Sequence, residues 1–182
     1  MSARLDFACL LLFTLGPSLG ACGDEEKGAV SAAGKSDLVG NPAPDFKATA
    51  VAGTGGAISL KALHGQVVLL DFWGTFCEPC KKSFPKLEEL NRKYAKSGLR
   101  VIGISEDEDD DKDKIPGFAE TYGAKFSLAW DRDKVIARRY NPETMPSSFI
   151  IDRDGIVRFA HVGFHDGEEL KVESEIRGLL GH

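Results

Sequence analysis

Residues 73–80, with the sequence WGTFCEPC, constrain the fold of this chain more than any other stretch. The apolar run VVLL at 67–70 precedes them, and a helical pattern with apolar side chains at 84, 87 and 90 follows. A strand, a tight turn, a C-x-x-C pair and a helix, in that order, indicate a redox-active dithiol rather than two incidental cysteines.

The position of the helix assigns different roles to the two cysteines. A helix N-terminus carries unpaired N–H groups and a partial positive charge, which stabilise a thiolate. Cys77 is therefore the predicted nucleophile, with a pKa below the value of about 8.5 of a free cysteine. Cys80, one turn further on, is predicted to attack the mixed disulfide that Cys77 forms.

The two residues between the cysteines are expected to tune the redox balance. Pro79 is near the helix start, where its missing N–H costs nothing. The carboxylate of Glu78 disfavours the Cys77 thiolate, and a destabilised thiolate makes a dithiol more reducing. This favours a reductant over an oxidant.

The amino-terminal segment predicts export. Residues 1–21 resemble a signal peptide of the lipoprotein type, because the apolar run at 7–15 is too short to span a bilayer. LGAC at 19–22 resembles a bacterial lipoprotein box, so Cys22 is the predicted lipidation site; an ordinary signal peptide is the alternative. Residues 22–40 are predicted to be a flexible tether and residues 41–182 the folded domain.

These features place the protein on a bacterial membrane through a lipid on Cys22, facing the periplasm or the cell exterior. With Cys9 in the signal peptide and Cys22 lipidated, only Cys77 and Cys80 are left to form a disulfide in that oxidising compartment. A reductant there must be recharged, so a membrane dithiol electron donor is an expected partner. We expect no cofactor besides this disulfide, and a monomer.

Alternating strand and helix patterns predict a single α/β domain. Two continuous apolar strands, 67–72 and 99–105, indicate a sheet covered on both faces. Further strands are predicted at 46–51, 57–60, 126–130, 148–152 and 156–161, and helices at 78–97, 115–122, 134–140 and 168–180. The formal net charge of −5 argues against a nucleic-acid partner, which would require a basic surface.

Two further places bear on mechanism. Asp71 is six residues before Cys77 on an apolar strand, where partial burial would raise its pKa and let it carry the proton of Cys80; a solvent-facing aspartate is the alternative. Met145-Pro146 precedes a strand, and a cis proline there would leave backbone free to pair with an extended substrate. A trans proline in a plain loop is the commoner arrangement for an isolated X–Pro bond.

The sequence resembles the thioredoxin superfamily in DFW at 71–73, the CEPC motif and Met145-Pro146. APDF at 43–46, GQVVL at 65–69 and SFIIDRDG at 148–155 make it similar to the exported TlpA/ResA-type branch, from Asn41 to about Leu180.

This resemblance implies a thioredoxin fold, a central mixed sheet flanked by helices, with an N-terminal β-hairpin and a central strand–helix insertion. It also implies an attacking Cys77, a resolving Cys80 and a cis Pro146, with disulfides and thiols of other proteins as partners. We expect Trp73, Met145 and Pro146 to contact the substrate.

The chain departs from that branch at two positions. Members that serve cytochrome c maturation often carry a glutamate three residues after the second cysteine, where this chain has Ser83. Many also have asparagine where this chain has Asp71. Both departures favour a general dithiol reductase.

Two other functions remain open from the residues. A thiol peroxidase of the peroxiredoxin type would need threonine or serine three residues before its cysteine. This chain has Gly74 at that position, and Thr75 is only two residues before Cys77. A metal site would draw on Cys77 and Cys80 with His161 and His165.

Separately, an EF-hand-like spacing of acids occurs at Asp109, Asp111, Asp113 and Glu120, but Lys114 replaces the required glycine.

Overall fold

A computed structural model describes residues 36–181. The predicted signal peptide, Cys22 and most of the predicted tether lie outside these residues. In chain order the elements are β1 (Lys47–Ala52), β2 (Ala57–Ser59), β3 (Val67–Trp73), α1 (Glu78–Tyr94), β4 (Leu99–Ser105), α2 (Ile115–Thr121), β5 (Ser127–Trp130), α3 (Val135–Tyr140), β6 (Ser147–Ile151), β7 (Val157–Val162) and α4 (Glu168–Leu180).

The strands form one seven-stranded sheet in the order β2-β1-β5-β4-β3-β6-β7. Strands β3, β4 and β5 are parallel, whereas β6 and β7 on one side and β1 and β2 on the other pair antiparallel. This mixed sheet flanked by helices confirms the predicted fold class. The β1–β2 hairpin is the predicted amino-terminal addition.

Strand β3 divides the core between the two faces of the sheet. Its seven residues are all buried, as its continuous apolar run predicts. Leu69 and Trp73 join the layer that contains both cysteines and α1, α2 and α4, which we call the dithiol face. Val68, Leu70 and Phe72 point to the opposite face, which α3 covers. Since side chains alternate along a strand, Asp71 belongs to the dithiol face.

Residues just before the predicted domain boundary at Asn41 already contact the domain. Leu38 is partly buried and packs against the core of the opposite face. The N–H of Gly40 donates to the carbonyl of Val157 at 2.8 Å, and the N–H of Val157 donates to the carbonyl of Asn41 at 3.0 Å. The last residues of the predicted tether therefore contact the domain.

Helix α1 presents its first turn to the carboxyl end of β3. At its other end it continues as a 3-10 turn over Ala95–Ser97 and stops at Gly98, whose φ of 103° is left-handed. Glycine adopts this conformation without a Cβ penalty, which explains why the helix ends at Gly98 as predicted. Within residues 36–181 no helix combines the length and apolarity needed to cross a bilayer.

Candidate active site

Cys77 and Cys80 are joined by a disulfide at the start of α1. Cys77 is the N-cap residue, and the backbone N–H of Cys80 donates to its sulfur at 3.2 Å. Cys77 is 6% exposed, whereas Cys80 is fully buried at 0%. The N–H that points at Cys77 Sγ would stabilise a thiolate there once the disulfide is reduced. This geometry fits an outer attacking sulfur and an inner resolving one.

Cys77 lines an open groove of about 420 Å³, which we call the redox groove. Its walls come from the turn before α1, the first turn of α1, the loop after β4 and the loop before β6, and include Phe76, Pro79, Glu106, Glu143 and Met145. The ring of Phe76 is 62% exposed beside the disulfide. The open groove therefore presents an exposed aromatic ring beside the disulfide.

Met145 presents the backbone that a substrate could pair with. The Met145–Pro146 peptide bond is cis, as the resemblance implied. Among residues 36–181, the N–H and carbonyl of Met145 make no hydrogen bond. Pro146 itself is buried, and its carbonyl accepts from the N–H of Gly163 at 2.8 Å. Met145 therefore presents its backbone at the redox groove, whereas the ring of Pro146 is buried.

The expectation that Trp73 contacts the substrate is wrong. Trp73 is 0% exposed, and its ring centroid lies 4.5 Å from that of Phe84 and 4.8 Å from that of Phe118. Helix α2, which carries Phe118, covers this part of the dithiol face. Trp73 therefore packs beneath the site instead of lining the groove.

Asp71 is buried, which excludes the solvent-facing alternative. It is 1% exposed, and its Oδ1 accepts a hydrogen bond of 2.6 Å from the hydroxyl of Ser148. Its Oδ2 is buried without a hydrogen-bond partner among the described residues. Burial raises the pKa of Asp71 to about 7, and the hydrogen bond from Ser148 opposes this rise. The carboxyl group can thus change protonation near neutral pH.

Asp107, in the charged stretch 106–114, is fully buried. Its carboxylate accepts hydrogen bonds from the N–H of Thr75 at 2.9 Å and from the hydroxyl of Thr75 at 2.5 Å. The hydroxyl of Ser105 donates to its other oxygen at 2.6 Å. Asp107 therefore fixes the turn that ends at Cys77.

Glu78 and Pro79 occupy the first turn of α1, as expected. The side chain of Glu78 is 78% exposed and lies 2.5 Å from Nζ of Lys81. Solvent and this lysine both screen its charge. The repulsion between Glu78 and a Cys77 thiolate is therefore smaller than the sequence alone suggests.

Glu106 adds a second unusual carboxyl group to the redox groove. It is half-buried, and its Oε1 has no hydrogen-bond partner within the described part of the chain. Burial raises its pKa, Asp131 adds to the rise and Lys134 opposes it. The charged side chains named in the groove walls, Glu106 and Glu143, are both acidic.

Within residues 36–181, no three His, Cys, Asp or Glu side chains are grouped so that they could hold a metal ion. His161 lies against Glu175 on α4, with Nε2 at 2.6 Å from Oε2, and not beside the cysteines. In the EF-hand-like stretch, Asp109 pairs with Arg132 and Asp111 with Lys114. The metal-site alternative therefore gains no support from the geometry.

Residues 39–160 match the AhpC/TSA family. The chain belongs to this family. It is 38% identical over 133 residues to a protein of Bacillus thuringiensis named thiol-disulfide oxidoreductase ResA, covering 73% of this chain and 75% of the relative.

Solved structures of similar proteins share its architecture. A Chlorobium tepidum protein assigned as thiol:disulfide interchange protein DsbE superposes with a TM-score of 0.70 at 35% identity, covering 77% of this chain and 96% of the other. A Bacteroides thetaiotaomicron protein assigned as a protein disulfide isomerase gives 0.70 at 27% identity, covering 79% and 91%. The family and these neighbours confirm the thioredoxin-like relationship inferred from the motifs.

Proposed function

We propose that the protein is a thiol–disulfide oxidoreductase that reduces disulfides in other polypeptides through Cys77 and Cys80. The observation that carries this proposal is the Cys77–Cys80 disulfide at the N-terminus of α1, with one sulfur on an open groove and the other buried behind it. The ResA and DsbE relatives support the same activity.

The proposed reaction starts from the reduced protein with a substrate segment in the redox groove. The backbone of Met145 is free to pair with an extended segment, as in strand addition. The Cys77 thiolate attacks one sulfur of the substrate disulfide, and the other substrate sulfur leaves as a thiolate. The product of this step is a mixed disulfide between Cys77 and the substrate.

The second step releases the substrate. Cys80 gives its thiol proton to Asp71 and attacks Cys77 Sγ; the remaining substrate sulfur leaves as a thiolate, and the Cys77–Cys80 disulfide forms. Two electrons have passed from the protein to the substrate. The unpartnered Oδ2 of Asp71 is the atom available to accept the proton. A pKa of about 7 suits it to both accepting and releasing that proton.

Several finer features belong to this proposal. An exported protein on a bacterial membrane, held by a lipid on Cys22, would meet substrates in an oxidising compartment. A membrane dithiol donor would then restore the reduced state. The sequence pattern around Cys22 supports the anchor, and the names of the relatives support thiols and disulfides of other proteins as partners.

Insulin reduction tests the activity. The protein, recharged by a small dithiol, should precipitate insulin B chain, and Cys77→Ser should abolish this rate. Cys80→Ser should instead accumulate a mixed disulfide with the substrate that mass spectrometry detects. Rapid consumption of hydrogen peroxide with no insulin reduction would contradict the proposal and favour a thiol peroxidase.

A further inference from the structure

In the proposed function Asp71 takes up a proton that must then reach solvent, so this inference rests on that function. Asp71 and Cys80 are 1% and 0% exposed, so neither meets bulk water directly. Among the described residues, the one hydrogen bond of the Asp71 carboxyl group is with the hydroxyl of Ser148. A path through hydrogen-bonding groups therefore begins at Ser148.

Ser148 stands between Asp71 and His161 in the sheet. It is paired in register with Asp71 on β3 and with His161 on β7. Residues directly opposite in antiparallel strands have Cβ atoms about 4.5–5.5 Å apart and point to the same face. The three side chains therefore form a polar row across the dithiol face.

His161 is buried, with one of its nitrogens unused. It is 3% exposed, and its Nε2 lies 2.6 Å from Oε2 of Glu175. Its Nδ1 has no hydrogen-bond partner in the described part of the chain and lies 3.5 Å from Oε1 of Glu168. A buried ring nitrogen without a hydrogen-bond partner can exchange a proton with a neighbouring water molecule.

A small cavity of about 30 Å³ connects these groups. It lies between α1, the β6–β7 hairpin and the start of α4, and Ser148, His161 and Glu168 all line it. This volume is enough for roughly one or two water molecules. At its rim Glu169 pairs with Lys86 of α1 at 3.6 Å, and both side chains reach solvent. The cavity thus leads from Ser148 to the surface.

We propose that Ser148 and His161 form a proton route between Asp71 and solvent. The carboxyl group of Asp71 turns about its Cβ–Cγ bond so that the protonated Oδ2 donates to Ser148 Oγ, while the hydroxyl passes its own proton to water in the cavity. That proton continues to His161 Nδ1 or Glu168 and then to solvent. Only O–H and N–H bonds form and break, and no group is oxidised or reduced. During recharging the same route runs in reverse.

The charges around the route favour a proton within it. The titratable groups that face it are Asp71 from β3, His161 from β7, and Glu168, Glu169 and Glu175 from α4, with Lys86 of α1 at the rim. Four of these are carboxyl groups, which attract a proton to both ends of the row.

The test compares Ser148→Ala with the conservative Ser148→Thr, which keeps the hydroxyl, and with His161→Gln. Stopped-flow measurement follows the Cys80-dependent release of a peptide thiol from its mixed disulfide with Cys77, from about pH 5 to about pH 9. Ser148→Ala should lower the plateau rate about tenfold, His161→Gln should lower it less, and Ser148→Thr should retain it. Infrared spectroscopy should show slower hydrogen–deuterium exchange of the Asp71 carboxyl group in Ser148→Ala.

A pH profile that shifts along the pH axis with an unchanged plateau would overturn the route, because Ser148 would then only tune the pKa of Asp71. Unchanged rates and exchange would overturn it as well. If Ser148→Ala does not fold, His161→Gln decides by the same two readouts. Failure of the unaltered protein to reduce insulin would instead refute the proposed function, so the two failures are distinguishable.

Discussion

The carboxyl group of Asp71 lies on a strand whose neighbouring residues are all apolar and buried. Such a position disfavours the charged form, because desolvation is not offset by a basic partner. The hydroxyl of Ser148 is the compensation that the structure provides. Asp71 therefore costs stability at high pH, and this cost is measurable.

We predict that the pH dependence of stability changes in Asp71→Asn. Burial raises the pKa of Asp71 from 3.8 to about 7 in the folded state. Its stabilising contribution is thus complete at low pH and is lost as the pH rises through 7. The free energy of unfolding of the oxidised protein, relative to Asp71→Asn, should fall by about 4 kcal/mol between about pH 4 and about pH 8. Urea titrations at several pH values measure it.

A constant difference between the two proteins across this pH range would contradict the burial of an ionisable Asp71. The m-value serves as the control, since an unchanged m-value shows that both proteins unfold from an equally compact state.

Individual residues show where sequence reasoning succeeds and where it stops. Cys77, Cys80 and Asp71 were identified because each has a fixed place relative to β3 and the start of α1. Trp73 was misplaced because its sequence neighbours do not reveal that α2 crosses over it. The nearly continuous apolar run of β3 did contain the signal, since a strand covered on both faces buries its side chains along its whole length. Asp107 was missed because a run of exposed acids surrounds it.

At the scale of elements, the turn before α1 is held from the side by the loop after β4. Asp107 accepts both hydrogen bonds of Thr75, and the indole N–H of Trp130 donates to its carbonyl at 2.8 Å. The turn before α1, β4 and β5 therefore meet at Asp107, β5 at its backbone carbonyl and the other two at its carboxylate. The position of Cys77 depends on this contact as well as on the cap of α1.

We predict that Asp107→Ala destabilises the protein and loosens this turn. The change leaves the N–H of Thr75 and the hydroxyl of Ser105 without their partner, at a cost of about 3 kcal/mol. Hydrogen exchange of the Thr75 amide should accelerate at least about tenfold.

Asp110→Ala is the matched control, because Asp110 is exposed in the same acidic run and should change stability by less than about 0.5 kcal/mol. Equal effects of the two substitutions would refute the role given to Asp107.

The elements themselves were predictable to a large extent. β4 and α4 have the predicted bounds, because a continuous apolar run defines the strand and Gly167 and Gly181 flank the helix. The strand order was not predictable from local pattern, because the pairing of β1 with β5 joins segments far apart in sequence. The cavity beside Ser148 was likewise invisible, since α1, β6, β7 and α4 all contribute to it.

At the scale of the molecule, the residues before β1 are fastened to the far edge of the sheet. Leu38 packs on the opposite face, and Gly40 and Asn41 bond to Val157 of β7. Among the described residues, the last ones of the predicted tether therefore lie at the β7 edge of the sheet, away from the β1–β2 hairpin.

We predict that Leu38→Ala lowers the melting temperature by about 2–4 °C, because it removes partly buried apolar surface worth about 1 kcal/mol. Val39→Ala is the control, since Val39 is 43% exposed and should shift the melting temperature by less than about 1 °C. Differential scanning calorimetry distinguishes them. Equal shifts for the two variants would show that Leu38 does not contact the core in solution.

The pairing of β3 with β4 over seven residues and with β6 over five has a consequence for how such a protein can diversify. Strand β3, which carries Asp71 and leads into the turn before Cys77, is held by two neighbouring strands, whereas Phe76 and Glu143 lie on loops outside the sheet. Exchanging these rim residues would change which polypeptides are admitted without disturbing electron transfer. Substrate specificity can therefore change through single substitutions in these loops, while the dithiol chemistry stays the same.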